Sequence, residues 1–196
     1  MKKLILLPLF VLVTGFLLAQ EAPEALFLNS KAPDFKGKDQ NGVDVRLKDL
    51  LKKGKVVLVF YRGEWCPYCN KQLKKLEDSL LLIKENGARL IAITPEKPEF
   101  ISKTIEKTKA SYPLIYDKEM KIMKAYGVAF EVDDRTVARY KNADIDLATA
   151  NDQKEKIYLP VPAVYIISKE STIVYRYFDA DYKKRASVQE ILKNLN

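Results

Sequence analysis

Apolar residues along this chain fall into two rhythms: unbroken runs of strand length, and stripes that recur every three or four positions. Lys55–Tyr61 and Arg89–Thr94 are runs of the first kind and read as buried strands, because a strand covered on both faces has no polar positions to alternate. Between them Leu73, Leu76, Leu80 and Ile83 recur at helical spacing, which predicts one amphipathic helix that begins after Cys66 and stops at Gly87. Glu96–Ala110 reads as an exposed helix, Tyr112–Tyr116 as a short strand, and Lys118–Tyr126 as a short helix ended by Gly127. Ala163–Ile167 and Thr172–Phe178 flank a Ser168–Ser171 turn and suit a hairpin. Ser187 and Glu190 form a capping box that opens a last helix to Leu195.

The start and the middle of the chain are less regular. Asp39-Gln40-Asn41-Gly42 is a turn, because Asn-Gly supplies the positive φ angles of a tight hairpin. Val43–Arg46 follows as a short strand and Leu47–Leu51 as a helical turn closed by Gly54. Residues 131–157 are polar, rich in Asp, Lys and Asn, and read as an irregular or helical excursion. The order of strands and helices implies an α/β protein with a central sheet covered by helices on both faces. A length of 196 residues fits one domain with a sizeable core.

Residues 1–20 stand apart from that domain. Lys2 and Lys3 form a basic start, and Leu4–Gln20 carries no charge. This is the pattern of a secretory signal peptide, or of an uncleaved N-terminal anchor. The expected organisation is a signal over 1–20, a tether over 21–30 and one domain over 31–196. Its expected address is exported and periplasmic, either soluble after cleavage or anchored.

The chemistry concentrates at residues 60–69, which hold the only two cysteines, Cys66 and Cys69. A buried strand leads through a short turn into Cys-x-x-Cys at the start of a helical pattern. A thiol at a helix N-terminus meets unpaired N–H groups and the positive end of the dipole, which favour the thiolate, the nucleophile of disulfide and peroxide chemistry. A second thiol one turn on can close a disulfide onto it. Pro67 at the first helical position loses no needed donor and pre-sets the backbone. A purely structural bridge is the competing reading, but a loop this short constrains the unfolded chain very little.

Charge and absences narrow the field. The formal net charge is +8; without Lys2 and Lys3 it is 32 basic against 26 acidic residues, or +6. The lysines are spread and mixed with acids, with no basic cluster interleaved with aromatics, so nucleic acid is not an expected partner. There is no histidine, which removes imidazole bases and the usual mixed zinc sites. No metal or organic cofactor is expected.

The Phe60-Tyr61-Arg62-Gly63-Glu64-Trp65-Cys66-Pro67-Tyr68-Cys69 segment, on this order of elements, resembles the thioredoxin fold. More closely, it is similar to the peroxiredoxin-like branch of the alkyl hydroperoxide reductase/thiol-specific antioxidant family. Ala32-Pro33-Asp34-Phe35 and Asp179-Ala180-Asp181-Tyr182 with Arg185 fit that family too. The resemblance covers roughly residues 31–196. It implies a thioredoxin-like fold with a central mixed β-sheet, with Cys66 as the attacking thiol and Cys69 as the resolving one. Arg62 and Arg185 would stabilise the thiolate or polarise a peroxide oxygen. Trp65 would pack beside the sulfur, and Glu64 is a candidate proton carrier or a plain surface carboxylate. Pro162, ahead of Pro160, would be the cis-proline that lies against the active-site sulfur. Two positions depart from typical peroxiredoxins: Gly63 stands where they carry Thr or Ser, and Pro162 where they carry an arginine. A third departs from thioredoxin, whose buried aspartate is replaced by Phe60.

The implied activity is antioxidant: reduction of a hydroperoxide through a Cys66/Cys69 dithiol–disulfide cycle, with re-reduction by an external dithiol donor such as a thioredoxin-like protein. The alternative uses the same residues on protein disulfides, as a periplasmic thiol–disulfide oxidoreductase.

Overall fold

The computed structural model describes residues 23–195; the expected signal over 1–20 and the start of the tether lie outside them. A hairpin of β1 (Lys36–Lys38) and β2 (Asp44–Arg46) precedes the main sheet and leads into α1 (Leu47–Leu51). Gly42 turns that hairpin with φ +76°. The main sheet is built from β3 (Lys55–Phe60), β4 (Ala88–Thr94), β5 (Leu114–Tyr116), β8 (Ala163–Ile167) and β9 (Ile173–Phe178), in the order β5-β4-β3-β8-β9. The first three strands are parallel, β8 runs antiparallel to β3, and β9 antiparallel to β8. This is the mixed central sheet that the sequence implies.

Burial on both faces explains the unbroken apolar runs. On β3, Val57, Val59 and Tyr61 enter one core with Leu73, Leu76 and Ile101, while Val56, Leu58 and Phe60 enter a second with Leu47, Met123 and Tyr165. Successive side chains of a strand point to opposite faces, so every position must be apolar when both are covered. The first face is covered by α2 (Pro67–Asp78), α3 (Leu80–Glu85), α4 (Pro98–Thr108) and α8 (Val188–Lys193). The second is covered by α1 and by α5 (Lys121–Ala125), which follows a single 3₁₀ turn. Ser187 caps α8, its hydroxyl accepting the Glu190 N–H at 3.1 Å.

Three elements differ from the sequence pattern. The expected single helix from Cys66 to Gly87 breaks at Ser79 (φ −111°, ψ 9°), while Leu80 and Ile83 remain on the buried stripe across the break. The helix over 98–108 is amphipathic rather than exposed, with Ile101, Thr104 and Thr108 buried. The end of the 21–30 tether is held to the sheet edge: Asn29 N–H donates to Ile173 O, Arg176 reaches the Ala25 and Leu26 carbonyls, and Ala25 is buried.

The polar excursion is itself folded. It consists of β6 (Ala129–Glu131), α6 (Asp134–Lys141), α7 (Leu147–Asn151) and β7 (Tyr158–Pro160), with β6 and β7 paired antiparallel. Asp133 and Asp146 cap the two helices by accepting the Thr136 and Thr149 N–H groups. A small core of Val132, Leu147, Ile157 and Leu159 packs against Trp65 and Tyr140 and carries the excursion over the end of β3 where the cysteines lie.

Candidate active site

The two cysteines begin where β3 ends. Cys66 is the N-cap residue of α2: its sulfur accepts the Cys69 N–H at 3.3 Å, and Pro67 takes the first helical position. Cys69 lies one turn in, and its sulfur is 2.6 Å from that of Cys66. Both are free thiols and both are buried, with no disulfide between them.

Arg185 comes from the segment between β9 and α8. Its Nη2 lies 3.5 Å from the Cys69 sulfur and 3.9 Å from that of Cys66. Arg62 takes a different position. It is buried, its guanidinium stacks over the rings of Tyr182 at 4.5 Å and Trp65 at 4.9 Å, and it donates to the Tyr140 hydroxyl. Tyr140 also packs on Trp65, with ring centroids 4.9 Å apart. An aromatic cage thus fixes Arg62, and its remaining influence on the sulfurs is its charge and its backbone N–H.

These contacts divide the charge of the thiol pair unequally. The hydrogen bond with Cys69, and then burial, push the Cys66 thiol up. Burial acts to raise Cys69 as well. The hydrogen bond with Cys66, the Arg185 charge and the Arg62 N–H outweigh it, and Cys69 is lowered to about 6. The two buried thiols therefore titrate as one unit, with Cys66 pushed up and Cys69 drawn down, and their closeness disfavours a second negative charge. A helix N-terminus alone favours a thiolate on Cys66; the hydrogen bond from Cys66 and then the Arg185 charge favour one on Cys69 as well.

Beneath the pair lies a carboxyl group that the sequence reading passed over. Glu96 follows β4 and is fully buried; its Oε2 accepts the Glu64 N–H at 2.8 Å, while its Oε1 is buried with no hydrogen-bond partner. Burial foremost, then the negative charges of Glu64 and Cys69, raise it to about 8 against the opposing Glu64 N–H and Lys107. The available signal was positional: Glu96 ends a parallel strand beside the one that delivers the cysteines, at the carboxyl edge where α/β sheets place their sites. Glu64, the carboxylate singled out by sequence, instead forms a partly exposed ion pair with Lys107.

Gly63 and Pro162 acquire a structural meaning. A Cβ at residue 63 would overlap Glu96 Oε1 and the Trp65 indole nitrogen, so the carboxyl occupies the space a Thr or Ser side chain would need. The bond before Pro162 is trans, since no cis peptide bond occurs among the described residues. The preceding chain is extended as β7, and the Val161 N–H donates to Val128 O, so the strand runs straight into β8. Pro162 is buried and enters none of the polar contacts to the sulfurs. Among the described residues no group of three or more Cys, Asp or Glu is arranged to hold a metal.

Comparisons with known proteins fit this geometry. A model of the AhpC/TSA family matches residues 28–176. The thiol-disulfide oxidoreductase ResA of Bacillus thuringiensis (strain Al Hakam) is 31% identical over 120 residues, which are 61% of this chain and 66% of that protein. The match thus spans just under two thirds of that relative. Among solved structures, the peroxidoxin BcpB of Mycobacterium tuberculosis superposes with a TM-score of 0.65 at 21% identity, covering 86% of this chain and 95% of that one. The thioredoxin domain of a thiol-disulfide oxidoreductase from Bacteroides vulgatus gives 0.59 at 19% identity, covering 88% and 100%. At these identities the two structures bear on the fold alone.

Proposed function

The chain belongs to the AhpC/TSA family and is an oxidoreductase of thioredoxin-like fold; on that premise we propose that it exchanges its Cys66/Cys69 dithiol with protein disulfides. The observation that carries this reading is the packing at Gly63. A buried carboxyl fills the space in which a typical peroxiredoxin would present a hydroxyl to the peroxide, while the two sulfurs already adjoin.

In the proposed cycle a proton passes from Cys66 to the adjoining Cys69, leaving Cys66 as the thiolate. That thiolate attacks one sulfur of the partner disulfide; the S–S bond breaks and the first partner thiolate departs. Cys69 then attacks the Cys66 sulfur of the mixed disulfide, closing Cys66–Cys69 and releasing the second partner thiolate. Two protons are needed for two product thiols. The pair's shared proton is one, and the Glu96 carboxyl, held protonated up to about pH 8, is a source of the other. Loss of the Cys69 charge on oxidation favours Glu96 ionisation, which makes the transfer self-consistent. An external dithiol returns the pair to the reduced state by the reverse exchange. Arg185 is the group that stabilises the thiolate, and the Met1–Gln20 pattern supports an exported location for the cycle.

Peroxide reduction is the second reading, favoured by the Arg185 guanidinium 3.9 Å from the Cys66 sulfur, where it can polarise an oxygen. There the Cys66 thiolate takes the distal peroxide oxygen, the O–O bond breaks and the departing alkoxide (hydroxide from hydrogen peroxide) takes the pair's proton, and Cys69 then displaces the sulfenic hydroxyl, which leaves as water with a proton from solvent. Pre-reduced protein separates the two readings. Rapid reduction of insulin disulfides, with hydrogen peroxide consuming the thiols no faster than it consumes free cysteine, is the expected result. Fast peroxide consumption without disulfide reduction sinks the first reading in favour of the second.

A further inference from the structure

Beside the thiol pair a groove of 650 Å³ runs between α2 and the segment 183–189 that leads into α8. Its charged walls are Lys71 and Lys75, one turn apart on α2, facing Lys183 and Arg185. The only acid in its lining, Asp78, is already paired with Lys74 at 3.1 Å. Lys71, Lys75 and Lys183 are exposed, and no carboxylate among the described residues lies within ion-pair distance of them. Four cations thus share one concave surface without internal compensation. The elsewhere mixed charge of the protein does not explain that. Val188, half-buried, gives the groove an apolar wall over the buried Leu76, and Tyr68 stands exposed in edge-to-face contact with Tyr182.

Arg185 joins this groove to the chemistry, since the same guanidinium that lines it touches both sulfurs. We propose that the groove docks an acidic, extended peptide segment next to the reacting disulfide of the partner protein. This inference rests on the disulfide-exchange reading and names the partner's chemistry. Carboxylates on the segment meet Lys71, Lys75 and Lys183, and apolar side chains meet Val188 and the Tyr68 ring. A carboxylate that engages Arg185 draws it off the sulfurs and opens Cys66 to the incoming disulfide. Docking therefore supplies both orientation and access, and its electrostatic share weakens with salt.

The test has two arms. In the first, a dye-labelled acidic decapeptide without cysteine is titrated against the reduced protein. It should bind, lose about tenfold or more in affinity in a Lys71→Glu/Lys75→Glu/Lys183→Glu variant, and keep its affinity when the same charge change is made at Lys53, Lys84 and Lys169. In the second, acidic and neutral disulfide peptides are compared as substrates at low and high salt. The acidic-over-neutral rate ratio should exceed about ten at low salt and fall towards one in the groove variant. Equal loss of binding in the control variant, or an equal gain for small oxidised glutathione, overturns the peptide groove in favour of general anion attraction. The binding arm needs no redox chemistry. Binding without turnover of any disulfide peptide sinks the exchange reading while the groove stands, and turnover without charge preference does the reverse.

Discussion

Arg185 Nη2 lies 3.5 Å from the Cys69 sulfur, although 116 residues separate them in the chain. No local feature of α2 supplies this charge. The helix start favours a thiolate on Cys66, whereas the arginine, carried in by the segment after β9, favours one on Cys69. The resting pair is therefore a shared-proton unit rather than one activated thiol beside an inert one.

Replacing Arg185 with Gln should raise the apparent pKa of the pair by about one to three units, the effect of removing an opposite charge at this range. Thiolate absorbance at 240 nm across a pH titration reads it directly. An unchanged midpoint in a folded variant would remove Arg185 from the mechanism.

Gly63→Thr restores the hydroxyl of typical peroxiredoxins but drives a Cβ into Glu96 and Trp65. A destabilisation of about 1–3 kcal/mol is expected, the range for overpacking. Adding Glu96→Ala should recover part of that loss, because the two sites share one space. Denaturant melts of the single and double variants give the coupling, and strict additivity would refute the shared-space account.

The raised Glu96 pKa fixes a pH dependence of stability. Between pH 4.5 and about 8 the folded protein keeps a proton that the unfolded chain has lost, so stability is fully present below 4.5 and declines as pH rises through that window. The decline is on the order of 3–5 kcal/mol, given the near-complete burial. Glu96→Gln, which keeps an acceptor for the Glu64 N–H, should flatten this part of the profile and be the more stable form at pH 8. Under the proposed cycle it also slows turnover most where the wild-type carboxyl would have donated. Parallel thermal melts of the two proteins from pH 4.5 to 8 decide the first point: profiles of equal slope contradict it.

Tyr140→Ala opens the cage around Arg62, leaving a buried guanidinium without its hydroxyl acceptor and Trp65 without its stacked ring. A loss of about 2–3 kcal/mol is expected from the charged hydrogen bond and the ring contact together. Tyr140→Phe should lose only the hydrogen-bond share. Hydrogen exchange should localise the loosening to 131–157 in the alanine variant; protection equal to wild type there would show that the excursion stands without this anchor.

Part of this architecture is legible from local pattern, because local pattern is what creates it. Both-face burial forces the apolar runs of β3 and β4, helical spacing forces Leu73, Leu76 and Ile83 onto one face, and Asn41-Gly42 and Ser187 act within a few residues of themselves. Cys66 at the start of α2 belongs to the same class, since a turn, a proline and a helix onset are all short-range. The excursion was opaque because its core is small, α6 buries no residue and α7 is only five residues long, so no strong apolar period marks them.

The sequence by itself determined a central sheet covered on both faces, the helix that begins at the cysteines, and the nature of the chemistry available to a chain with two thiols and no histidine. Only the tertiary structure decided which groups surround those thiols. It chose Arg185 over Arg62 as the neighbouring cation, Glu96 over Glu64 as the buried acid, and a trans bond before Pro162. The reason is physical: propensity and periodicity act over one or two turns of chain. Desolvation and Coulomb interactions depend on distance through space, and those distances exist only once remote segments pack together.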